Sequence, residues 1–193
     1  MAQLKETPSQ TAGPFVHIGT LPALAGLRSQ QAPQNILAAN SALGQRIRIE
    51  GQIYDGAGAL VKDAIVEIWQ ADANGQFGSN AFLGWGRAAT DFETGLFVFE
   101  TVKPGATPFH DGRPQAPHVS LAIFARGINI HLQTRIYFAD EAAANAADPV
   151  LQLVGAPELA ATLIGQKQTD TDMPTYRFDI HLQGQRETVF FDV

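Results

Sequence analysis

Residues 46–72 read RIRIEGQIYDGAGALVKDAIVEIWQAD, and this stretch decides the fold class. Ile47, Ile49 and Ile53 alternate with Arg46, Arg48, Glu50 and Gln52, the period-two signature of a strand with one face buried. DGAG at 55–58 supplies turn chemistry, and a second apolar run follows through IVEIW, so a hairpin is expected here. The same grammar recurs along the chain. GRAATD precedes a turn at ETG (93–95) and the aromatic strand LFVFETV, while HVSLAIFARG, INIHLQTRIYF, YRFDIHLQG and ETVFFDV give further short strands. Strands of this length between turns predict an all-β fold, an antiparallel β-sandwich. Helix is expected only between 140 and 166, with Asp140 capping EAAANAA up to a stop at Asp148-Pro149, and Pro157 opening ELAATLI up to Gly165. The first 45 residues, with prolines at 8, 14, 22 and 33 and no sustained period, read as an irregular arm. The organisation expected is therefore one domain over residues 1–193, with 1–45 as an extended arm.

Composition narrows the function. A chain of 193 residues can bury roughly two-thirds of its unfolded surface and needs no staple. A net charge of -6 without any run of Lys or Arg lacks the electrostatic footprint for nucleic acid or anionic lipid, so neither is expected as a partner. With no cysteine there are no disulfides and no thiolate metal ligands, and a metal would need His, Tyr, Asp or Glu. The opening MAQLKETPSQTAGP is polar, and no segment reaches the roughly 18 apolar residues of a membrane span, which leads to the expectation of a soluble cytoplasmic protein.

The chemistry-bearing residues are sparse. His17, His110, His118, His131 and His181 never fall at i, i+2 or i, i+4. His118 heads a strand after a proline-rich loop, and strand parity puts Ser120, Ala122 and Phe124 on its side, so it reads either as a hydrogen-bonded histidine or as half of a metal site. Arg126, followed by Gly127, closes that strand at a turn and could receive a carboxylate bidentately or form an ordinary strand-end salt bridge. TAGPF at 11–15 pairs a glycine that permits close backbone approach with a stiffening proline, or is a plain linker. No GxSxG elbow or Gly-rich phosphate loop is present.

Taken in order, ETPSQTAGPFVHIG (6–19), GQIYDGAGALVKDAIVEIWQADANG (51–75), FLGWGRAATD (82–91), TVKPGATP (101–108), APHVSLAIFARGINIHLQTRIYF (116–138) and YRFDIHLQGQRETVFFDV (176–193) resemble the intradiol ring-cleavage dioxygenases. The narrower resemblance is to the alpha-type chain of members that divide their labour between two related chains. In that family the beta-type chain holds Fe(III) through two tyrosines and two histidines, with an HxH pair and a tyrosine in a KPGxYP loop; phenolate oxygen suits this hard cation. Here the HxH position reads His118-Val119-Ser120, the loop puts Thr107 where the tyrosine would stand, and the stretch before FLGWGR has no tyrosine, the three present being Tyr54, Tyr137 and Tyr176. The resemblance therefore implies that no metal is bound by this chain, with Fe(III) in a related beta subunit. It further implies a large alpha-beta hetero-oligomer, protocatechuate and O2 as substrates, and 3-carboxy-cis,cis-muconate as product. Thr11, Gly13 and Pro14 are implied as lining of a cleft shared with the partner, and Arg126 as the substrate-binding arginine; Phe15 stands where the family leads one to expect tyrosine. A rival resemblance, to transthyretin-like or carboxypeptidase-regulatory-like modules that bind or scaffold without catalysis, accounts for the absent ligands. It does not account for TAGPFVHIG or ARGINIH.

Overall fold

The computed structural model describes residues 5, 8–27, 34–38, 43–79 and 82–192. Parts of the expected arm (1–4, 6, 7, 28–33 and 39–42), two residues before FLGWGR (80 and 81) and Val193 of the expected last strand lie outside the described residues.

The strands are β1 (Arg46–Tyr54), β2 (Ile65–Gln70), β3 (Trp85–Ala89), β4 (Leu96–Val102), β5 (Thr107–Pro108), β6 (Pro114–Gln115), β7 (His118–Phe124), β8 (Leu132–Phe138), β9 (Ile164–Lys167), β10 (Thr175–Arg177) and β11 (Ile180–His181). One nine-stranded sheet runs β11-β1-β10-β9-β8-β7-β2-β3 with β4 on β1, and β5-β6 form a separate ribbon. The alternation in β1 is obeyed throughout, with Ile47, Ile49 and Ile53 fully buried. These side chains join Phe97 and Phe99 from β4, Val66 and Ile68 from β2, Val119, Leu121 and Ile123 from β7, and Ile136 and Phe138 from β8 in one cluster. The sheet is thus folded on itself around this cluster, with two smaller clusters beside it around Tyr137 and Phe82, the all-β sandwich expected.

Three details differ from the sequence reading. First, the sheet is mixed: β1 lies parallel to β10 and β11, and β8 parallel to β9. Second, β1 and β2 are not a hairpin. The Asp55 carboxylate accepts from Ala57 N and Ala59 N at 2.9 Å each and Gly58 has φ of 81°, so the turn forms, but the chain then crosses to the other half, where β2 pairs with β3 and β7. Third, the helical content is distributed differently. A five-residue helix α1 (Val16–Thr20) and a 3-10 turn (Pro22–Ala25) interrupt the arm, and between α2 (Ala142–Ala147) and α4 (Pro157–Ala161) lies α3 (Pro149–Val154). Asp148-Pro149 thus ends α2, as expected, and also starts α3, proline being suited to the first helical position. Gly165 lies inside β9, and the predicted strand ETVFFDV is reduced to a bridge between Gln133 and Phe191.

Asp140 does not cap α2, which has no side-chain cap. It accepts instead from Tyr176 Oη (2.8 Å), Lys103 Nζ (3.1 Å) and Lys167 Nζ (3.1 Å), tying β9 and β10 to the loop after β4. Burial acts to raise the Asp140 carboxyl, but the bonds from Tyr176, Lys103 and Lys167 outweigh it and hold the group at about 2, below its ordinary 3.8. A carboxyl depressed by folding stabilises the fold above its unfolded value and loses that contribution as pH falls through the folded one. The wild-type thermal midpoint is expected to fall between pH 3.8 and about 2 more steeply than that of Asp140→Asn, and equal slopes would refute the assignment.

Candidate functional site

Strand β7 sends Val119, Leu121 and Ile123 into the core, so His118, Ser120 and Ala122 face the other way. Cross-strand register sets His118 beside Tyr137, and Ser120 between Trp69 and Arg135. The positions that the family resemblance marks as former iron ligands are therefore one physical cluster on the outer face of the sheet. Thr107 joins it through the β5-β6 ribbon: Gln115 Nε2 donates to Thr107 Oγ1 at 3.3 Å while Gln115 Oε1 accepts from Arg135 Nη1 at 2.8 Å. The loop bringing Thr107 is shaped by close backbone approach. A Cβ on Gly105 would sit 2.6 Å from Ala73 O, and one on Gly75, which has φ of 79°, 2.1 Å from Ala106 O.

The donor set here does not fit a ferric ion. His118 Nδ1 lies 2.8 Å from the Ala116 carbonyl, which can only accept, so this nitrogen carries the proton. Burial pushes the imidazolium pKa down, with the hydrogen bond to Ala116 opposing it, and Nε2 is the one ring nitrogen left to donate a lone pair. Tyr137 donates to Asp148 Oδ1 at 3.2 Å, and burial drives its phenol far above its ordinary range, so it offers no phenolate. The Arg135 guanidinium, 3.5 Å from Tyr137 Oη, already supplies the positive charge of the cluster. Asp148 is the buried anchor: besides Tyr137 it accepts from Ala116 N (2.7 Å), Val150 N (2.8 Å) and Leu151 N (2.9 Å), capping α3 while it fixes the segment that leads into His118. Gln115, Arg135 and Asp148 were not singled out from sequence; the Asp-Pro dipeptide at 148 was the available signal.

The second group lies at the far end of β7. Arg126 sits in the turn after Phe124, and Gly127 has the positive φ of 84° that the turn requires. Gly127 N donates to Thr11 Oγ1 at 2.9 Å, and the Thr11 hydroxyl lies 3.4 Å from the Ala125 carbonyl. Residues 116 positions apart are thereby joined, and the TAGP segment is set against the turn of Arg126. Gly13 accepts from Val16 N at 3.1 Å, which turns the chain into α1, and an added Cβ at Gly13 would meet nothing within 4 Å among the described residues. Pro14 and Phe15 are exposed. Arg126 Nε pairs with Asp63 Oδ2 at 2.5 Å, while 63% of the arginine side chain remains accessible.

The family model for Dioxygenase matches residues 22–184. The chain is 51% identical to the protocatechuate 3,4-dioxygenase alpha chain of Pseudomonas putida, with 98% of this chain and 97% of that one aligned. It is 43% identical to the alpha chain of the Burkholderia cepacia enzyme, both chains being covered in full. The beta chain of protocatechuate 3,4-dioxygenase from Burkholderia cepacia is 34% identical over 80% of this chain and 72% of that one. Among solved structures, the 3-chlorocatechol 1,2-dioxygenase of Rhodococcus opacus 1CP shares the fold with a TM-score of 0.60 at 20% identity, covering 80% of this chain and 68% of that one. These relationships mean that the chain belongs to the intradiol ring-cleavage dioxygenase family.

Proposed function

We propose that this chain is the iron-free alpha-type subunit of a protocatechuate 3,4-dioxygenase, completing the substrate cleft of a related beta subunit that carries Fe(III). The observation that carries the reading is the Gly127–Thr11 hydrogen bond, which gathers the arm and Arg126 on one surface. That surface suits an aromatic acid: Arg126 offers a planar fork to a carboxylate, and Gly13 and Pro14 offer a stiff, neutral backbone to a ring. The arm leaves Phe15, Ile18, Leu24 and Leu27 exposed, apolar area that packing of residues 1–45 on the partner would cover. The donor set around His118 supports placing the iron in the other chain.

In the reaction served, both atoms of O2 enter across the bond between the two hydroxylated ring carbons, giving 3-carboxy-cis,cis-muconate, with the ferric chemistry supplied by the partner. This chain binds the carboxylate, orients the ring and supports assembly of a large alpha-beta hetero-oligomer. The reading carries a cytoplasmic setting with it; among the described residues no helix is long and apolar enough to cross a membrane. A transthyretin-like or carboxypeptidase-regulatory-like module is not favoured, since two relatives aligned over nearly the whole chain are dioxygenase alpha chains. The test is oxygen uptake with protocatechuate by this chain, by a beta-type chain, and by the two co-expressed. Full turnover is expected only from the pair, and equal activity of the beta-type chain alone would overturn the role.

A further inference from the structure

Thr11 holds the backbone of the turn, yet the guanidinium of Arg126 hangs from a long flexible stem, and a fork that must meet a planar carboxylate needs its direction set. The sheet register provides the means. Ile65 of β2 pairs with Phe124 of β7 in antiparallel register, so two residues outward along each chain Asp63 comes to stand opposite Arg126. Asp63 Oδ2 meets Arg126 Nε at 2.5 Å. Burial of the pair is lopsided, the aspartate side chain being 12% exposed and the arginine 63%. An exposed surface pair would leave both ends loose. Here the acid is seated and the base projects.

We propose that Asp63 is a positioning residue for the substrate carboxylate: it grips Arg126 through Nε and leaves the Nη1–Nη2 edge of the fork to receive the acid group. The inference rests on the reading of Arg126 given above. Asp63 itself does not touch substrate, so its effect passes entirely through the arginine. An asparagine in its place keeps an oxygen acceptor for Nε, whereas alanine removes it.

The experiment is steady-state kinetics of the co-expressed alpha-beta assembly with protocatechuate, and inhibition by carboxyl-free catechol, for Asp63→Ala, Asp63→Asn, Arg126→Ala and the Asp63→Ala/Arg126→Ala double variant; Asp63→Ser replaces the alanine variant should that fail to assemble. Asp63→Ala is expected to raise KM about fivefold with kcat within about twofold, and Asp63→Asn to stay within about twofold of wild type. Adding Asp63→Ala to Arg126→Ala is expected to change KM no further, and inhibition by catechol is expected to be unmoved throughout. A fall in KM with Asp63→Ala would overturn the proposal by making Asp63 a competitor for the arginine. An equal rise in the Arg126→Ala background would overturn it by making Asp63 merely structural. If Arg126→Ala itself leaves KM at the wild-type value, the reading of Arg126 fails and the role of Asp63 fails with it.

Discussion

An Arg126→Ala variant of the alpha-beta assembly is expected to raise KM for protocatechuate about tenfold or more while kcat stays within about threefold. A guanidinium–carboxylate contact is charge-assisted and bidentate, and each factor of ten in affinity corresponds to about 1.4 kcal/mol, the low end of what such a contact contributes. The low end is appropriate because Arg126 is 63% exposed in the chain by itself and already shares its charge with Asp63. The split between the two constants follows from where the contact acts. On the proposed reading the carboxylate is remote from the ring carbons that react, so the arginine would bind ground state and transition state alike and its loss would weaken binding without slowing the chemical step. Arg126→Lys, which keeps a point charge without the fork, is expected to fall between. Equal loss in kcat and kcat/KM would place the arginine at the reacting centre and contradict the assignment.

Asp148→Ala is expected to destabilise the chain by about 3 kcal/mol or more, lowering the thermal midpoint by roughly 6–12 °C. Asp148 is fully buried and accepts four hydrogen bonds, from three backbone N–H groups and the Tyr137 hydroxyl. Truncation leaves these donors without a partner in a site that water does not reach, and each orphaned donor costs about 1–3 kcal/mol before relaxation. It also removes the cap of α3, itself worth about 1 kcal/mol. Asp148→Asn keeps one acceptor oxygen and is expected to lose less. A shift below about 2 °C for the alanine variant would mean that the buried network is not holding the segment before His118.

The contrast between what the sequence made legible and what it hid is instructive at particular residues. Ile47, Ile49 and Ile53 announced their burial because a strand with one wet face must alternate. The partner of β1 was hidden: the Asx-type turn at Asp55 has the same local chemistry whether the chain folds straight back or crosses to the facing half, and only the packed core distinguishes them. Asp148-Pro149 was ambiguous in the same way, since one dipeptide serves as a helix stop and as a cap followed by the first helical residue. Parallel pairing of β1 with β10 joins segments more than a hundred residues apart and leaves no periodic trace. At the candidate sites, His118, Ser120 and Thr107 could be named from motif positions, and Arg126 from its place before a glycine. The partners that define their behaviour, Arg135, Gln115 and Asp63, are set by cross-strand register, which local spacing does not encode.

The proposed role of this chain requires that iron belong to the other subunit. The most direct measurement is iron content and visible absorption of this chain purified alone after exposure to ferric ion, and of the same chain co-purified with a beta-type partner. The proposed function predicts a colourless, iron-poor chain by itself and about one ferric ion per alpha-beta pair with a tyrosinate absorption band, because on that reading the phenolates that colour such a centre come from the partner. Stoichiometric uptake of ferric ion by this chain alone, with a tyrosinate band, would contradict it.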